Sequence, residues 1–415
     1  ILLGLFINLS GLNSQDGWIN TYIVDGLFFV IGKMFVNGLK MLVVPLVFFS
    51  LICGVCGIGN LSTLGRVGGK SFLLYMMTTA IAIAVAISLA VSVGLGEGME
   101  FEEATSFTAK ETPPLSEVII NIVPSNPIQA MANGDMLPLI FFSILVGISM
   151  LMLGEKSTPF VKGAEIANEI MMKMVTIVMA IAPYAVFALI AKSVAELGLE
   201  LLIQLAAYVA VLVSALLIHL LFTLMIVLKL FSGLSPMIFL RKIRSAQVFA
   251  FSTASSNATI PVTLRTVTKR LGVDNAVASF TVPFGATINM DGTAIMQGVA
   301  TVFIANIYGL ELGVMGYLTV ILMSVLASVG TAGVPGVGLI MLSMVFTQVG
   351  LPVEGIGLIL GVDRLMDMIR TAVNVSGDAV VSSIVAKSEG SLDRGVYDDS
   401  IAGVEDAESL VIKNV

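Results

Sequence analysis

The sequence is poor in charge and in the residues that build metal or catalytic centres. Only 12% of its 415 residues are charged, whereas about a quarter is usual in a soluble domain. It has one histidine and two cysteines, and we find neither a histidine cluster nor a nucleophile paired with a base. This composition excludes an ordinary soluble domain and argues against an enzyme.

The few reactive side chains lie in apolar surroundings. Cys53 and Cys56 form a C-x-x-C in the run LVVPLVFFSLICGVCGIG. We interpret them as packing residues, because no redox or zinc-binding context surrounds them. His219 lies in LLIHLLF without an acidic residue near it in sequence. We interpret it as a helix-packing histidine rather than a proton relay.

Apolar residues dominate the chain, with 57% hydrophobic residues and a mean hydropathy of +1.01. Several runs exceed the roughly 18 residues that mark a spanning helix, which indicates an all-α polytopic membrane protein. A partly apolar piece near 115–132 precedes the fourth helix. We predict eight transmembrane helices, at 1–13, 26–54, 68–95, 136–155, 164–195, 200–230, 274–308 and 354–387. Two apolar hairpins, 236–270 and 314–350, are predicted to turn back inside the membrane.

The loop charges predict the orientation, because lysine and arginine concentrate in cytoplasmic loops. The basic loops contain Arg66, Lys70, Lys156, Lys162, Lys229, Arg241, Lys242, Arg244, Lys269 and Arg270. The loops between them are acidic and are predicted to face outside. This alternation requires each hairpin to enter and leave on one side, the first on the cytoplasmic side and the second on the outside.

The two hairpins resemble each other. ASSNATIPVTL (254–264) and ASVGTAGVPGVGL (327–339) both begin Ala-Ser and pass through small residues to a β-branched residue and proline. Each hairpin is followed by a helix with a polar stretch, NMDGT (289–293) and NVSGD (374–378). Broken backbone at membrane depth is tolerated only where it lines a cavity or is buried in protein. Two such units of opposite topology predict an inverted-repeat transporter with its site between the repeats.

The last predicted helix carries a polar face. Asp367, Arg370, Thr371, Asn374 and Asp378 recur at helical spacing. A charge facing lipid costs about 2.5–3.5 kcal/mol even on the gentler scale, so these side chains must face an interior. A ligand site is one explanation, and a buried ion pair of Asp367 with Arg370 is the other.

Asp291 is another carboxylate in an apolar stretch without a basic neighbour, because no lysine or arginine occurs between Arg270 and Arg364. The site carries a net negative charge, because it has the three carboxylates of Asp291, Asp367 and Asp378 but only the one guanidinium of Arg370. A bound acidic amino acid would make this charge more negative. Two or three Na⁺ ions, which take oxygen ligands, would neutralise it. We therefore interpret Asp291 as paired with an ion rather than with a residue. Protonation of the carboxylates is the competing solution.

These motifs resemble a known family, the dicarboxylate/amino acid:cation symporters, which include archaeal aspartate transporters and vertebrate glutamate and neutral amino acid transporters. The resemblance covers nearly the whole chain. It rests on NMDGT, the serine-bearing first hairpin tip, GTAGVPG, and D-x-x-R-T-x-x-N-x-x-G-D in the last helix. It also includes KMLVVPLVF (40–48) and IVPSNPIQAMANGDMLPLIFFSILVG (122–147).

The resemblance implies an elevator-type transporter that assembles as a homotrimer. It implies scaffold regions at 1–66 and 114–197, transport-domain regions at 67–96, 198–232 and 235–388, and an acidic cytoplasmic tail at 389–415. The second hairpin would be the extracellular gate. The protein would lie in the cell (inner) membrane with its C-terminus in the cytoplasm, and neither an organic cofactor nor nucleic acid is implied.

The resemblance also implies substrate contacts. Arg370 would clamp the side-chain carboxylate, a bidentate role suited to guanidinium. Asp367 would hold the ammonium group. Asn374 and Ser256 would bind the α-carboxylate. The remaining contacts would come from the hydroxyls of Thr293 and Thr371 and from the backbone around Ala254, Val334 and Gly338.

A set of ion ligands is implied in the same way. Side-chain oxygens would come from Asn289, Asp291, Asn374 and Asp378, and carbonyls from Gly285, Thr287, Ser328, Val329 and Thr331. Tyr75, Thr78 and Thr79 match a further sodium site, and Met290 fits the sodium-dependent members.

Single positions indicate the subfamily. Arg370 favours an acidic substrate, and Asp367 favours one with an amino group. Gln297 stands where vertebrate glutamate transporters have a glutamate linked to proton transport, and Asn257 and Ala258 replace the usual Ser-Gly of the first hairpin tip. The leading prediction is a Na⁺-coupled glutamate/aspartate symporter. A proton-coupled glutamate/aspartate or C4-dicarboxylate symporter remains the alternative, and glutamate and aspartate remain equal candidates.

Overall fold

The computed structural model describes residues 2–12, 17–56, 64–98, 120, 122–331, 333 and 335–403. These residues are helical apart from turns and one isolated antiparallel bridge between Val273 and Leu392. The predicted all-α class is therefore confirmed.

The N-terminal half contains several long apolar helices. Its helices are α1 (Leu2–Leu9), α2 (Phe29–Cys56), α3 (Gly69–Ser92), α4 (Pro127–Asn133), α5 (Met136–Leu153), α6 (Thr158–Ala180), α7 (Ala182–Ile218) and α8 (Leu224–Ser232). Short π-helical segments, Asn20–Phe28 and Leu64–Gly68, lead into α2 and α3, and a third, His219–Thr223, joins α7 to α8.

The C-terminal half has shorter helices that break and turn. They are α9 (Pro236–Lys242), α10 (Arg244–Thr253), α11 (Ser256–Arg265), α12 (Asn275–Ile288), α13 (Asp291–Ile307), α14 (Gly313–Gly330), α15 (Val337–Gln348), α16 (Ile356–Ser388) and α17 (Arg394–Asp398). Nearly every residue of α13 is buried, as is most of α16. These two helices therefore form the centre of the packing.

Among the described residues, four stretches are long and apolar enough to cross a membrane. They are Asn20–Gly38, Arg66–Ser92, Pro138–Val178 and Leu201–Ser232. The chain is thus a helical membrane protein. The number of eight spans and the re-entrance of the hairpins stay predictions.

The predicted boundary between the fifth and sixth spans is wrong. The structure continues α7 through residues 196–200 and places the preceding break at Ile181, between α6 and α7. Pro183 suits the first turn of α7 because a proline there sacrifices no helical hydrogen bond. Residues 196–200, which we interpreted as a loop, contain one residue with low helix propensity, Gly198. Glutamate has a high helix propensity, so this sequence allows the helix to continue.

The two polar stretches behave differently. The helix predicted at 274–308 breaks at Asn289 and Met290, which separate α12 from α13. By contrast, α16 runs without a break through 374–378. The resemblance between the repeats therefore does not extend to the backbone of their second helices.

The predicted hairpins are two helix–turn–helix pairs, α10 with α11 and α14 with α15. Ala254 forms the first turn with a φ of 49°, a left-handed conformation that is uncommon for a non-glycine residue. The tips of the two pairs meet at Gly333, whose carbonyl accepts hydrogen bonds from the Asn257 amide (3.1 Å) and the Ser255 hydroxyl (2.7 Å). These bonds hold the two turns together.

The C-terminal segment is docked rather than a free tail, as far as residue 403. The Tyr397 hydroxyl donates to the Ser235 carbonyl (2.9 Å), and Lys242 donates to the Val396 carbonyl (2.6 Å). Burial lowers the pKa of Lys242. The predicted tail 389–415 therefore begins with a packed segment, and residues 404–415 lie outside the described part.

Glu389 provides a test of this docking. Its carboxylate lies 2.6 Å from Lys70 and 3.0 Å from Arg66. The hydrogen bond from Lys70, assisted by the charges of Arg66 and Lys70, lowers the pKa of Glu389 below its ordinary 4.5. A lowered native pKa stabilises the fold above the unfolded pKa and loses that contribution as the pH falls through the native value.

We expect Glu389→Gln to lower the thermal unfolding midpoint at pH 7 and to lose this effect below about pH 4. Unfolding in detergent at a fixed scan rate measures it. Glu311→Gln, an exposed position, serves as the control. If Glu389→Gln lowered the unfolding midpoint equally at pH 7 and pH 3, the ion-pair explanation would be contradicted.

Candidate functional site

A pocket with about 250 Å³ of empty space lies where the two turns approach α13 and α16. Its walls are predominantly polar and include a carboxylate. The lining residues are Ala254, Ser256, Met290, Thr293, Thr331, Gly333, Gly338, Asp367, Thr371 and Asn374.

The structure brings the predicted substrate-binding residues together. The pocket is lined by Ala254, Ser256, Thr293, Gly338, Asp367, Thr371 and Asn374. Arg370 lies beside it, with its Nη2 3.5 Å from the point where a Cβ on Gly338 would stand. Val334 lies outside the described residues.

Arg370 is fully buried between two carboxylates. Its Nη2 lies 3.0 Å from Asp363 Oδ1 and 3.0 Å from Asp367 Oδ1. Among the described residues, its Nε and Nη1 have no hydrogen-bond partner. The guanidinium is therefore charge-compensated but keeps its directional donors, which suits it to receive a planar carboxylate.

Asp363 is a site residue that the sequence analysis missed. It lies four residues before Asp367, so helical spacing alone puts it on the same face of α16. The ion pair of Asp367 with Arg370, which we weighed as an alternative to a ligand site, is present as well. Both explanations therefore apply to the same group of side chains.

Asn374 joins the pocket to the break between α12 and α13. Its Oδ1 accepts a hydrogen bond from the Gly292 amide (2.7 Å), and its Nδ2 lies 3.3 Å from Met290 Sδ. A Cβ on Gly292 would stand 2.6 Å from the Arg370 carbonyl, so only glycine allows α13 to approach α16 this closely. The motif NMDGT is thus held directly against the polar face of α16.

Asp291 has residue partners, contrary to our interpretation that only an ion pairs with it. Its Oδ1 accepts a hydrogen bond from Thr79 (2.5 Å) and lies 3.5 Å from the Thr78 hydroxyl. Its Oδ2 lies 3.0 Å from His219 Nε2. All four side chains are buried. His219 was interpreted as a packing residue because no acidic residue lies near it in sequence, but a distant segment supplies an acidic partner.

The second buried carboxylate of this region, Asp378, is close to Tyr75 and Asn289. Asn289 Nδ2 donates to Asp378 Oδ1 (3.0 Å), and the Tyr75 hydroxyl donates to the Thr281 carbonyl (3.0 Å). A Cβ on Gly285 would collide with both Asp378 and Tyr75. Several predicted ion ligands are therefore neighbours: Tyr75, Thr78, Thr79, Gly285, Asn289, Asp291 and Asp378.

The other predicted ion ligands make different contacts. The Thr287 hydroxyl donates within α12, to the Phe284 carbonyl (2.9 Å), and the Ser328 hydroxyl donates within α14, to Val325 (2.7 Å). The Val329 carbonyl lies 3.8 Å from the Cβ position of Gly54 in α2. Met290 and Thr331 line the pocket. In the described part of the chain no three His, Cys, Asp or Glu side chains form a metal-binding cluster, so any Na⁺ ligand set must include backbone, hydroxyl or amide oxygens.

His219 offers a test of the Asp291 environment. We expect His219→Ala to cost about 1–3 kcal/mol, because the buried carboxylate loses a hydrogen-bonding partner. His219→Gln keeps an N–H donor and should lose less. The thermal unfolding midpoint in detergent, at one scan rate, measures both.

Leu221→Ala is the control, because Leu221 is exposed on the same helical turn. Equal unfolding midpoints for His219→Ala and wild type would show that the contact contributes nothing to stability.

Comparisons with known proteins give the same family as the sequence motifs. The model of the sodium:dicarboxylate symporter family matches residues 1–388. A proton/sodium-glutamate symport protein of Bacillus caldotenax is 37% identical over 87% of each chain. A proton/glutamate-aspartate symporter of Escherichia coli (strain K12) is 35% identical over 95% of this chain and 91% of its own. A C4-dicarboxylate transport protein of Bacillus subtilis (strain 168) is 31% identical over 92% of each.

These relatives are transporters and not enzymes. Because the family model covers more than nine-tenths of the chain, this protein belongs to the sodium:dicarboxylate symporter family.

Proposed function

We propose that this protein takes up an acidic amino acid, glutamate or aspartate, in symport with Na⁺. The observation that carries the proposal is Arg370, a buried guanidinium beside the pocket whose Nε and Nη1 have no hydrogen-bond partner among the described residues. Leaving buried donors unpaired is costly, and a bidentate carboxylate satisfies them best.

The remaining contacts of the proposed substrate follow from the pocket walls. Asp367, whose Oδ2 also accepts from the Gly336 amide (3.2 Å), is the acceptor for an ammonium group. Ser256 and Asn374 are the donors for an α-carboxylate. Thr293 and Thr371 add hydroxyls on the same walls. Asp363 has the separate role of balancing Arg370 when the pocket is empty.

The charge of the site supports a coupling cation. Four carboxylates, those of Asp291, Asp363, Asp367 and Asp378, are buried, and Arg370 contacts two of them, Asp363 and Asp367. With all four ionised and His219 neutral, these five residues carry a net charge of −3. An acidic amino acid adds about one more negative charge. Burying such a site without cations is prohibitive. Na⁺ is the proposed cation, because carboxylate, amide and hydroxyl oxygens surround Asp291 and Asp378.

Proton coupling is the second candidate, and the contact between His219 and Asp291 favours it. A carboxylate that already pairs with an imidazole and two threonines needs a metal ion less than an isolated one does. The names of the relatives include a proton/sodium-glutamate symport protein and a proton/glutamate-aspartate symporter. The same substrate contacts serve either cation.

The proposal includes a homotrimer in the cell (inner) membrane, with an elevator-type transport domain and a cytoplasmic C-terminus. Two observations support the domain division. The turns of the two hairpins join at Gly333 and contact α13 and α16 around one pocket. The docked C-terminal segment connects Ser235, Lys242 and α16, which all lie within the proposed transport domain.

The decisive experiment is uptake of labelled aspartate and glutamate into proteoliposomes. Under the leading proposal, uptake requires inward Na⁺ and saturates, and preloaded substrate accelerates it by exchange. Uptake driven equally well by a pH jump without Na⁺ would replace it with the proton-coupled form. A flux without saturation or exchange would indicate a channel and overturn both.

Arg370→Ala should reduce uptake of acidic substrate at least 100-fold, because a buried charge-assisted interaction worth about 3 kcal/mol is lost. Arg370→Lys should restore little of the uptake, since an ammonium group lacks the planar pair of N–H donors that a guanidinium offers to a carboxylate. Isothermal calorimetry of aspartate binding measures the affinity. Wild-type affinity in Arg370→Ala would contradict the assigned role.

Asp378→Asn should raise the Na⁺ concentration for half-maximal substrate binding at least tenfold, while saturating Na⁺ largely restores substrate affinity. The reason is that Asp378 lies beside Asn289 and Tyr75 and does not line the pocket. Substrate titrations at several Na⁺ concentrations measure both effects. An unchanged Na⁺ dependence would count against an ion at Asp378.

A further inference from the structure

An ion pair joins two parts of the chain that are proposed to move relative to each other. Lys33 Nζ lies 2.6 Å from Glu354 Oε1, across 321 positions of sequence. Lys33 lies near the beginning of α2, within the predicted scaffold region 1–66. Glu354 lies in a short 3₁₀ helix, Val353–Gly355, which links the second hairpin to α16 within the predicted transport-domain region 235–388. The ion pair therefore spans the boundary between the two proposed domains.

Nearby contacts across the same boundary are apolar. Leu189 Cδ2 lies 3.3 Å from the point where a Cβ on Gly357 would stand. Ile190 occupies the space beside Gly361 in the same way. Both glycines lie in α16, and Leu189 and Ile190 lie in the part of α7 that belongs to the predicted scaffold region 114–197. Apolar contacts are non-directional, so helices that slide can exchange them for similar ones.

The ion pair differs from these contacts because it is satisfied at one relative position of the domains. A hydrogen bond between an ammonium group and a carboxylate requires an N–O distance of at most about 3.2 Å. When the transport domain moves farther than the two side chains can follow, the contact is lost. Ion pairs between partly exposed side chains, here 39% and 33% exposed, change an equilibrium by up to about fivefold. This pair can therefore favour one position and still open during transport.

We propose that the Lys33–Glu354 ion pair is a latch, which stabilises the position of the transport domain seen in this structure and has to open for the domain to cross the membrane. This inference rests on the proposed function, since it presumes that the transport domain moves against the scaffold. It assigns a conformational role to two residues that lie outside the pocket and outside the proposed ion site. Substrate affinity and the balance between domain positions are then set by different residues.

Reversible crosslinking tests whether Lys33 and Glu354 separate during transport. Lys33→Cys and Glu354→Cys are introduced into a background with Cys53→Ala and Cys56→Ala and joined by a short bis-methanethiosulfonate reagent. We expect crosslinking to abolish aspartate uptake into proteoliposomes, because the transport domain cannot leave this position, and reduction to restore it. Aspartate binding, measured by calorimetry, should persist in the crosslinked protein because the pocket is unchanged.

Asp25→Cys with Lys192→Cys, in the same background, is the matched control. Lys192 Nζ lies 2.9 Å from Asp25 Oδ1, so the geometry is similar, but both residues belong to the predicted scaffold. Crosslinking this pair to the same yield should leave aspartate uptake unchanged.

Charge substitutions test whether the ion pair itself, rather than the neighbouring packing, favours this position. Spin labels at exposed Ile166 of the scaffold and exposed Val314 of the second hairpin report the distance between the domains by pulsed electron paramagnetic resonance. Glu354→Lys places two ammonium groups at the contact and should lower the population of this position about three- to fivefold relative to the other. Lys33→Glu combined with Glu354→Lys restores an ion pair and should recover the wild-type distance distribution.

The outcomes separate the two proposals. If wild-type protein takes up neither aspartate nor glutamate, the proposed function fails. If uptake is present and continues with Lys33 and Glu354 crosslinked, or if the two cysteines do not crosslink, the latch is wrong and the proposed symport stands. If crosslinking stops uptake but Glu354→Lys leaves the distance distribution unchanged, the residues separate without favouring either position, and the latch is again wrong.

Discussion

Four buried carboxylates in a membrane-spanning helical protein constrain everything around them. Asp291, Asp363, Asp367 and Asp378 are all buried, and the cationic groups that contact them are Arg370 and, when protonated, His219. Removing such charges from water costs several kcal/mol each unless partners compensate. The break between α12 and α13 contributes to this compensation, because it places Asp291 at a helix N-terminus, where the helix dipole favours a negative charge.

The four carboxylates form two groups that differ in the side chains that stabilise their charge. Asp363 and Asp367 flank Arg370 at the pocket, whereas Asp291 and Asp378 lie among threonine, histidine, asparagine and tyrosine side chains deeper in the fold. Asn374 connects the groups. It lines the pocket, accepts from the Gly292 amide, and through its carbonyl lies 3.4 Å from Asn289 Nδ2. A ligand that touches Asn374 would therefore act on the segment that positions both deeper carboxylates, and we propose this contact as the route that couples substrate and cation.

Features set by local spacing were predicted well, and features set by distant packing were not. The polar face of α16 follows from helical periodicity. The polar motif NMDGT was identified, but the sequence analysis predicted one helix there and not the break at Asn289. Asp363 obeys the same periodicity and was overlooked. The contact of His219 with Asp291 joins residues 72 positions apart, and that of Tyr397 with Ser235 spans 162 positions. Neither has a local signal, because each depends on how separate helices pack.

The unequal surroundings of Asp291 and Asp378 bear on where a coupling cation binds. Asp291 is contacted by Thr78, Thr79 and His219, so much of its capacity to accept hydrogen bonds is already used. Within the described residues Asp378 accepts one side-chain hydrogen bond, from Asn289, whose own Oδ1 is buried without a partner. A buried oxygen acceptor without a partner beside a carboxylate is unfavourable unless a cation binds there. We therefore propose the Asn289–Asp378 pair, rather than Asp291, as the centre of the ion site.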